Sequence, residues 1–187
     1  MAEVSVKKSK KVWVKIVGSK EFKNNELGES YTSNPKGLVG KRVNANLSGL
    51  IEDMRKQNTI IGFRIKEVNG NQANAEMDSY RLVSAHIRRI VRSGKDKIES
   101  SFVIDSKDGK KVRIKPLILT RAKTKNSVLT AIGKKINDYF IEFGKENSFD
   151  DIIKKTISGE LIKSLRNDIK KIYPLSALEL KVIEVVE

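Results

Sequence analysis

The sequence predicts an α+β fold: a β-barrel-like antiparallel or mixed sheet with packed helices, preceded by a basic N-terminal tail. Three observations lead to this prediction. Apolar and polar residues alternate through much of the first 125 residues, as in strands that are half buried in a sheet. From residue 126 onward, apolar residues recur every three or four positions, as in amphipathic helices. Lysines crowd the first eleven residues, where no apolar pattern is present.

The first two thirds of the chain predict several strands and one helix. "VWVKIV" from Val12 and "RVNANL" from Arg42 alternate as strands do. "TIIGFRIKEV" and "ANAEM" flank the turn residues "NGNQ", which predicts a hairpin, and a second hairpin is predicted around Asp108-Gly109. Pro116 then marks an edge or a bend of the sheet. Between the hairpins, "SAHIRRIVRSG" predicts a helix that is capped by Ser84 and ends near Gly94.

The last third predicts three helices and a final strand. A long helix is expected from Asn126, and two short helices follow it, the first capped by Ser148 and closing near Gly159. "ALELKVIEVV" then alternates as a strand. We therefore expect a tail over residues 1–11 and one α+β domain over 12–187. Within that domain, 12–125 form a mainly β, basic body and 126–187 a mainly helical region with the final strand.

The charge is concentrated in the same first two thirds. The 187 residues include 38 Lys or Arg and 23 Asp or Glu, which gives a formal net charge of +15. Residues 1–125 hold 28 of these basic and 13 of these acidic residues, whereas 126–187 hold 10 of each, so the whole excess lies before residue 126. Such an excess attracts polyanions such as nucleic acid, anionic membrane surfaces or acidic proteins.

The sequence offers little for catalysis or metal binding. It has no cysteine, and His86 is its single histidine, so the usual nitrogen and sulfur metal sites cannot form. The acidic pairs Glu52-Asp53 and Asp150-Asp151 fit a loop and a helix start better than a catalytic pair. Neither a phosphate-binding loop nor a nucleophile elbow is present. We predict a protein that is not an enzyme and has no cofactor and no metal.

The composition also bears on the compartment and on other partners. The lack of cysteine fits a reducing compartment, and neither a signal peptide nor a membrane-spanning segment is recognisable. We therefore expect a soluble, cytoplasmic protein with no membrane partner and no homo-oligomer.

Three basic clusters are the candidate binding residues. In "KKVRIKP", alternation should send Lys111, Arg113 and Lys115 to one side of a strand, because the valine and isoleucine between them point to the other. Phosphates alongside such a row offset its repulsion and release counterions. Aromatic residues are scarce, and Trp13 and Tyr31 are the only candidates for stacking on bases. The candidate RNA-binding residues are Lys7, Lys8, Lys10, Lys11, Arg88, Arg89, Arg92, Lys95, Lys97, Lys110, Lys111, Arg113, Lys115, Arg121, Lys123 and Lys125.

The order of these motifs resembles the S-three-Ae family, the small-subunit ribosomal proteins of archaea and eukaryotes also called eukaryotic-type S-one. The resemblance runs nearly from end to end. "KKVWVKIVGSKEF" is similar to the family's opening Lys-x-Trp strand, "NPKGLVGKRV" to its turn and strand, and "HIRRIVRSGKDKIES" to its arginine-rich helix. "DGKKVRIKPLILT" resembles its most specific motif, Asp-Gly-x-x-x-Arg-x-Lys-Pro, and "KKIYPLSALELKV" its closing segment. Gly18-Ser19 departs from the family's Ala-Pro, "RSGKDKIES" is less arginine-rich, and Ser127-Val128 replaces Ser-Gln.

The resemblance implies a structural component on the platform of the small ribosomal subunit, beside the messenger exit. Its expected partners are ribosomal RNA and neighbouring ribosomal proteins, with messenger RNA near the exit as a further candidate. Arg88, Arg89 and Arg92 of the helix motif, and the basic residues of the Asp-Gly motif, would be RNA contacts. The length favours an archaeal source. The alternatives are a nucleic-acid-binding module outside the ribosome and an RNA-modifying enzyme.

Overall fold

The structure, a computed structural model, describes residues 10–19, 22 and 25–186. Nine strands and five α-helices lie in these ranges, together with short 3-10 helices at Pro35–Leu38 and Met54–Lys56. The strands are β1 (Val12–Val17), β2 (Glu26–Thr32), β3 (Arg42–Asn46), β4 (Thr59–Asn69), β5 (Gln72–Leu82), β6 (Lys97–Glu99), β7 (Phe102–Asp105), β8 (Lys111–Thr120) and β9 (Leu175–Val186). The helices are α1 (Leu47–Ile51), α2 (Ser84–Ile90), α3 (Asn126–Glu146), α4 (Phe149–Ser158) and α5 (Glu160–Lys170).

All nine strands belong to one mixed sheet. β8 and β9 pair antiparallel along most of their length, and β9 also pairs with the end of β5. On its other edge β5 pairs with β4, and β4 pairs with β3. β1 lies parallel to the start of β5 and antiparallel to β2. β6 and β7 follow one another along the free edge of β8.

The predicted α+β class and the mixed sheet with packed helices are confirmed, and the sheet is open. Among the described strands, β2, β3, β6 and β7 each have a single partner, so no pairing closes a barrel. These outer strands are short or polar, which discourages further pairing at an exposed edge. Most of the predicted tail, residues 1–9, lies outside the described residues.

Both predicted hairpins form at the expected turns. Gly70 (φ 60°) joins β4 to β5, and Gly109 (φ 71°) joins β7 to β8. Pro116 lies at a register shift between β8 and β9, and beside the gap between β6 and β7. Because proline lacks a backbone N–H, this break in the pairing is where a strand with neighbours on both sides can hold it.

The helix caps agree with the sequence at one site and differ at another. Ser148 caps α4 by accepting a hydrogen bond from the Asp151 amide, and Gly159 (φ 80°) ends that helix, as predicted. The expectation that Ser84 caps α2 was wrong. Val83 holds the capping position without a side-chain bond, because α2 starts at Ser84 itself.

The helices α3, α4 and α5 cover the inner face of the sheet. Ile61, Phe63 and Ile114 of the sheet, and Ile132 and Phe140 of α3, have no exposed surface and belong to one apolar core. Within the described ranges, no helix combines the length and the apolar character that crossing a lipid bilayer requires. The covered inner face leaves the outer face of the sheet, and the loops at its ends, for binding.

Candidate nucleic-acid interface

The outer face of β8 presents the cations that the alternation predicts. Val112 and Ile114 are fully buried, so Lys111, Arg113 and Lys115 point to the opposite side of the sheet. Cross-strand neighbours extend this outer face: Arg113 lies opposite Glu184 of β9, and Glu184 lies opposite Ser79 of β5. A strand-to-strand row of polar side chains therefore crosses the middle of the sheet.

Glu184 holds two arginines of this face. Its Oε1 lies 3.3 Å from Nη1 of Arg113, and its Oε2 lies 2.9 Å from Nη2 of Arg81. The Glu184 side chain is only 18% exposed, whereas the two arginines are 39% and 48% exposed. One carboxylate thus orients two guanidinium groups and neutralises half of their charge.

Acidic residues compensate much of the remaining charge on the outer face. Asp78 lies 2.7 Å from Nε of Arg42 and 3.6 Å from Nε of Arg64. Asp105 is directly opposite Lys111 on the neighbouring strand. The outer face is therefore less basic than β8 alone suggests, because acids from other strands meet its cations.

A further group of cations lies at one end of the sheet, which we call the basic end; it comprises the loops before β6 and after β8 and the end of α5. There, the loop before β6, the loop after β8, the end of α5 and the start of β9 enclose a cleft of about 640 Å³. We call it the basic cleft; it is lined by Lys95, Arg121, Arg166, Asn167, Lys170, Pro174, Leu175 and Ser176. No carboxylate is among these lining residues. Four cations around a concave surface concentrate positive potential, which attracts anions in general.

Hydrogen bonds around Asp96 hold the two loops of the basic cleft together. The Asp96 amide donates to Thr120 Oγ1 (2.9 Å), and the Thr120 amide donates to the Asp96 carbonyl (3.1 Å). The Asp96 carboxylate accepts a hydrogen bond from the Thr124 amide (2.7 Å). Thr120 is fully buried. Lys95 and Arg121 are next in sequence to Asp96 and Thr120, so these hydrogen bonds fix the backbone from which both cations project.

Further contacts position individual cations of the basic cleft. The Lys95 ammonium donates to Ser176 Oγ, and the Arg121 amide donates to the Pro174 carbonyl (3.1 Å). Arg166 donates through Nη2 to the Leu175 carbonyl (3.4 Å). These contacts hold the Lys95 and Arg166 side chains and the backbone of Arg121 in place.

Helix α2 ends at Ile90, not near Gly94 as predicted, and leads into the same loop; it carries Arg88 and Arg89 of the predicted arginine cluster, and Arg92 follows in the loop. Arg88, Arg89 and Arg92 are exposed, and Arg89 donates through Nη2 to Asn58 Oδ1 (3.0 Å). His86 lies on the same helix, where partial burial and the nearby Arg89 lower its pKa. The lowered pKa of His86 therefore disfavours a positive charge on this residue beside the arginines.

The remaining predicted residues divide between the basic end and other parts of the molecule. Lys123 and Lys125 are exposed in the loop after β8. Lys97 pairs with Glu99 (3.3 Å), and the Lys110 ammonium lies 5.8 Å from the centre of the Phe149 ring. Lys10 and Lys11 lie in another part of the molecule, exposed before β1. Lys7 and Lys8 lie outside the described residues.

Sequence reasoning missed Arg166 and Lys170 of the basic cleft. Both lie in the last third of the chain, where acidic and basic residues balance. Their only sequence signal is their position on the polar side of α5, opposite the buried Leu161, Leu165 and Ile169. Tertiary packing, and not local charge density, brings them to Lys95 and Arg121.

One partly buried carboxyl group stands behind the basic cleft. Burial raises the pKa of Glu179 above its ordinary value, and the positive charges of Lys56 and Arg166 oppose that rise. The Lys56 ammonium itself donates to the Ile157 carbonyl at the end of α4 (2.7 Å). In the described ranges, no three histidine, aspartate or glutamate side chains are grouped so that they could hold a metal ion.

Comparison with known proteins places the chain in a family. The model of the Ribosomal S3Ae family matches residues 3–187. The chain is 35% identical over 165 residues to the small ribosomal subunit protein eS1 of Nanoarchaeum equitans, covering 88% of this chain and 83% of that protein. It is 32% identical over 170 residues to the protein of the same name from Methanobrevibacter smithii, covering 91% and 88% of the two chains. For the Methanopyrus kandleri eS1 protein, the identity is 32% over 181 residues, covering 95% and 86%. The match spans all the described strands and helices from β1 to β9, and the chain belongs to the Ribosomal S3Ae family.

Proposed function

We propose that this protein is a non-enzymatic, structural constituent of the small ribosomal subunit, where it binds ribosomal RNA mainly through phosphate groups. The relatives above carry the name of a small ribosomal subunit protein, and their matches cover most of both chains. The observation that carries the binding mode is the basic cleft, whose cations Lys95, Arg121, Arg166 and Lys170 face no lining carboxylate.

The shape of the basic end favours folded RNA over a regular duplex. Arg88 lies on the short helix α2, and Arg92 and Lys123 lie in the two loops that also supply Lys95 and Arg121 of the basic cleft. Cations on such an irregular surface suit phosphates that converge in folded RNA. Arginine can bind a phosphate through two parallel hydrogen bonds, and lysine adds a flexible point charge.

The finer placement follows from the family resemblance. We propose a position on the platform beside the messenger exit, in contact with neighbouring ribosomal proteins and, near the exit, with messenger RNA. The cytoplasmic ribosome is then the place where the protein works. The single α+β domain over residues 12–187 would be the unit that docks.

Removing the charge of the basic cleft tests the binding mode. A variant with Arg121→Gln, Arg166→Gln and Lys170→Gln removes three cations and should bind small-subunit ribosomal RNA more weakly. Because each phosphate contact contributes about 0.7–0.9 to the salt slope, the slope of log K against log salt should become shallower by about 2–3. Filter binding between low and moderate salt measures both quantities, with duplex DNA as a competitor that should displace the RNA poorly.

A matched control removes equal charge elsewhere. Lys134→Gln, Lys135→Gln and Lys145→Gln change three lysines of α3, a helix that also carries exposed acids. This control should bind with nearly unchanged affinity, and equal losses in both variants would contradict a role for the basic cleft. Sucrose-gradient fractionation of a native lysate tests the larger claim. Recovery of the chain only in fractions free of ribosomal subunits would overturn it.

A further inference from the structure

Two aromatic side chains stand exposed side by side on β1 and β2. Trp13 and Tyr31 are directly opposite each other in the antiparallel pair, with ring centres 4.8 Å apart and planes inclined by 34°. Trp13 is 58% exposed and Tyr31 is 53% exposed. The alternation of β1 enforces this position, because Val14 and Ile16 point into the core. We call this pair the aromatic platform.

The contact between the two rings does not account for their exposure. A cross-strand aromatic pair stabilises a sheet by about 0.2–1 kcal/mol, which is less than a buried aromatic ring contributes. More than half of each side chain stays in water. The remaining ring surface is therefore available to a flat ligand.

The surroundings of the aromatic platform are charged. The Lys11 ammonium lies 5.5 Å from the centre of the Tyr31 ring, and Lys10 is exposed next to it. On the same face, Lys15 lies 3.6 Å from Glu26 and 3.7 Å from Glu29. Glu26 and Glu29 are thus paired with Lys15, whereas Lys10 and Lys11 leave positive charge beside the rings.

Flat rings with a cationic border match one kind of ligand best. An apolar protein surface would leave Lys11 and Lys15 next to a dry contact, which is unfavourable for charged groups. A nucleobase places a flat, polar-edged ring on the aromatic side chains, and its own phosphates reach the neighbouring lysines.

We propose that the aromatic platform stacks an unpaired nucleobase of single-stranded RNA, and that Lys10 and Lys11 bind the flanking phosphates. This inference deepens the proposed function, since RNA is the ligand in both. It concerns a different part of the chain, however, since the platform lies on β1 and β2 and the basic cleft lies at the ends of β6, β8 and α5.

The fluorescence of Trp13 tests the proposal directly. Trp13 is the single tryptophan of the chain, so its emission reports on the aromatic platform without a label. Titration with an adenosine decamer should quench this emission in a saturable manner. Inorganic polyphosphate of similar charge should bind to the lysines with little quenching. Equal quenching by both ligands would overturn the proposal, since the signal would then reflect charge alone.

Two variants give an independent readout. Trp13→Leu should weaken binding of a labelled adenosine decamer about 5- to 150-fold at constant salt, with an unchanged salt slope. Tyr31→Ala should weaken it in the same direction, and Met54→Ala serves as a control because Met54 is at least as exposed but belongs to the 3-10 helix and not to β1 or β2. Circular dichroism establishes that each variant is folded. Affinities within twofold of the native chain for both aromatic variants would refute stacking and leave the rings for contact with protein.

The two proposals fail separately. If the chain neither cosediments with small subunits nor binds their RNA, but the decamer still quenches Trp13, the proposed function falls and the aromatic platform stands. If ribosomal RNA binds through the basic cleft while Trp13 emission stays constant at saturation, the platform proposal alone is refuted.

Discussion

A glycine of α3 tests how closely this helix packs on the sheet. If Gly144 were alanine, its Cβ would lie 2.7 Å from Cδ1 of Ile104 and 3.1 Å from the carbonyl oxygen of Asp105. Both contacts are with β7, and Ile104 is only 4% exposed, so its side chain has little room to move. Gly133 lies in the same helix, and a Cβ there would meet no atom within 4 Å. The two positions differ in their surroundings and share their secondary structure.

The expected magnitudes follow from two opposing effects. Alanine favours an α-helix over glycine by about 0.8–1.0 kcal/mol, and both variants gain this contribution. Gly144→Ala also overpacks the helix against β7, which costs about 1–3 kcal/mol. Gly133→Ala should therefore raise the free energy of unfolding by nearly 1 kcal/mol, while Gly144→Ala should lower it or leave it barely changed. The difference between the variants isolates the steric cost.

Urea unfolding followed by far-UV circular dichroism measures that difference. With a slope of about 2 kcal/mol per molar urea, the midpoints of the two variants should differ by about 0.5–1.5 M, with Gly144→Ala unfolding first. Equal slopes would show that the compactness of the unfolded state is unchanged. If Gly144→Ala is as stable as Gly133→Ala within about 0.5 kcal/mol, the close approach of α3 to β7 is refuted.

Two further predictions concern carboxyl groups. Because burial raises the pKa of Glu179, the folded state holds its proton more tightly than the unfolded state, whose pKa is near the ordinary 4.5. This stabilising contribution is complete below pH 4.5 and is lost as the pH rises through the raised pKa. Glu179→Gln should abolish this loss of stability with rising pH. If the melting temperatures of the variant and the native chain change with pH in parallel from pH 4 to pH 8, the assignment is contradicted. Glu184→Gln should lower stability by about 1 kcal/mol at low salt, since Arg81 and Arg113 then face each other without a counter-charge. The same change should strengthen RNA binding because two guanidinium groups are released, and a weaker affinity in filter binding would count against this.

The local sequence pattern predicted most of the strands and helices because interactions between residues close in sequence determine them. The hairpin of β4 and β5 turns at Gly70, where a positive φ favours glycine, and flanking alternation marks both strands. β2 escaped prediction, since its sequence "ELGESYT" lacks an apolar alternation. It is a strand because β1 offers it a pairing edge, and such long-range pairing leaves no trace in the local composition.

The candidate site was predictable only in part for the same reason. Charge density identified Lys95 and Arg121, whose loops Asp96 and Thr120 hold together. Arg166 reaches the basic cleft from α5, in a segment whose net charge is zero. Arg113 and Glu184 are 71 residues apart, so the sequence could not show that this cation is already paired.

This pairing distinguishes two kinds of basic residue that the sequence alone cannot tell apart. On the outer face of the sheet, strand register brings Glu184 to Arg113, so much of that charge is already satisfied within the fold. Around the basic cleft, no carboxylate is among the lining residues, so Arg121 and Lys170 have no acidic partner within the cleft wall. Like charges gathered around one cleft repel one another, and an external anion offsets that repulsion. A fold that stiffens those loops through Asp96, and whose cleft has only cations among its charged lining residues, supports the proposal that an anion binds there from outside.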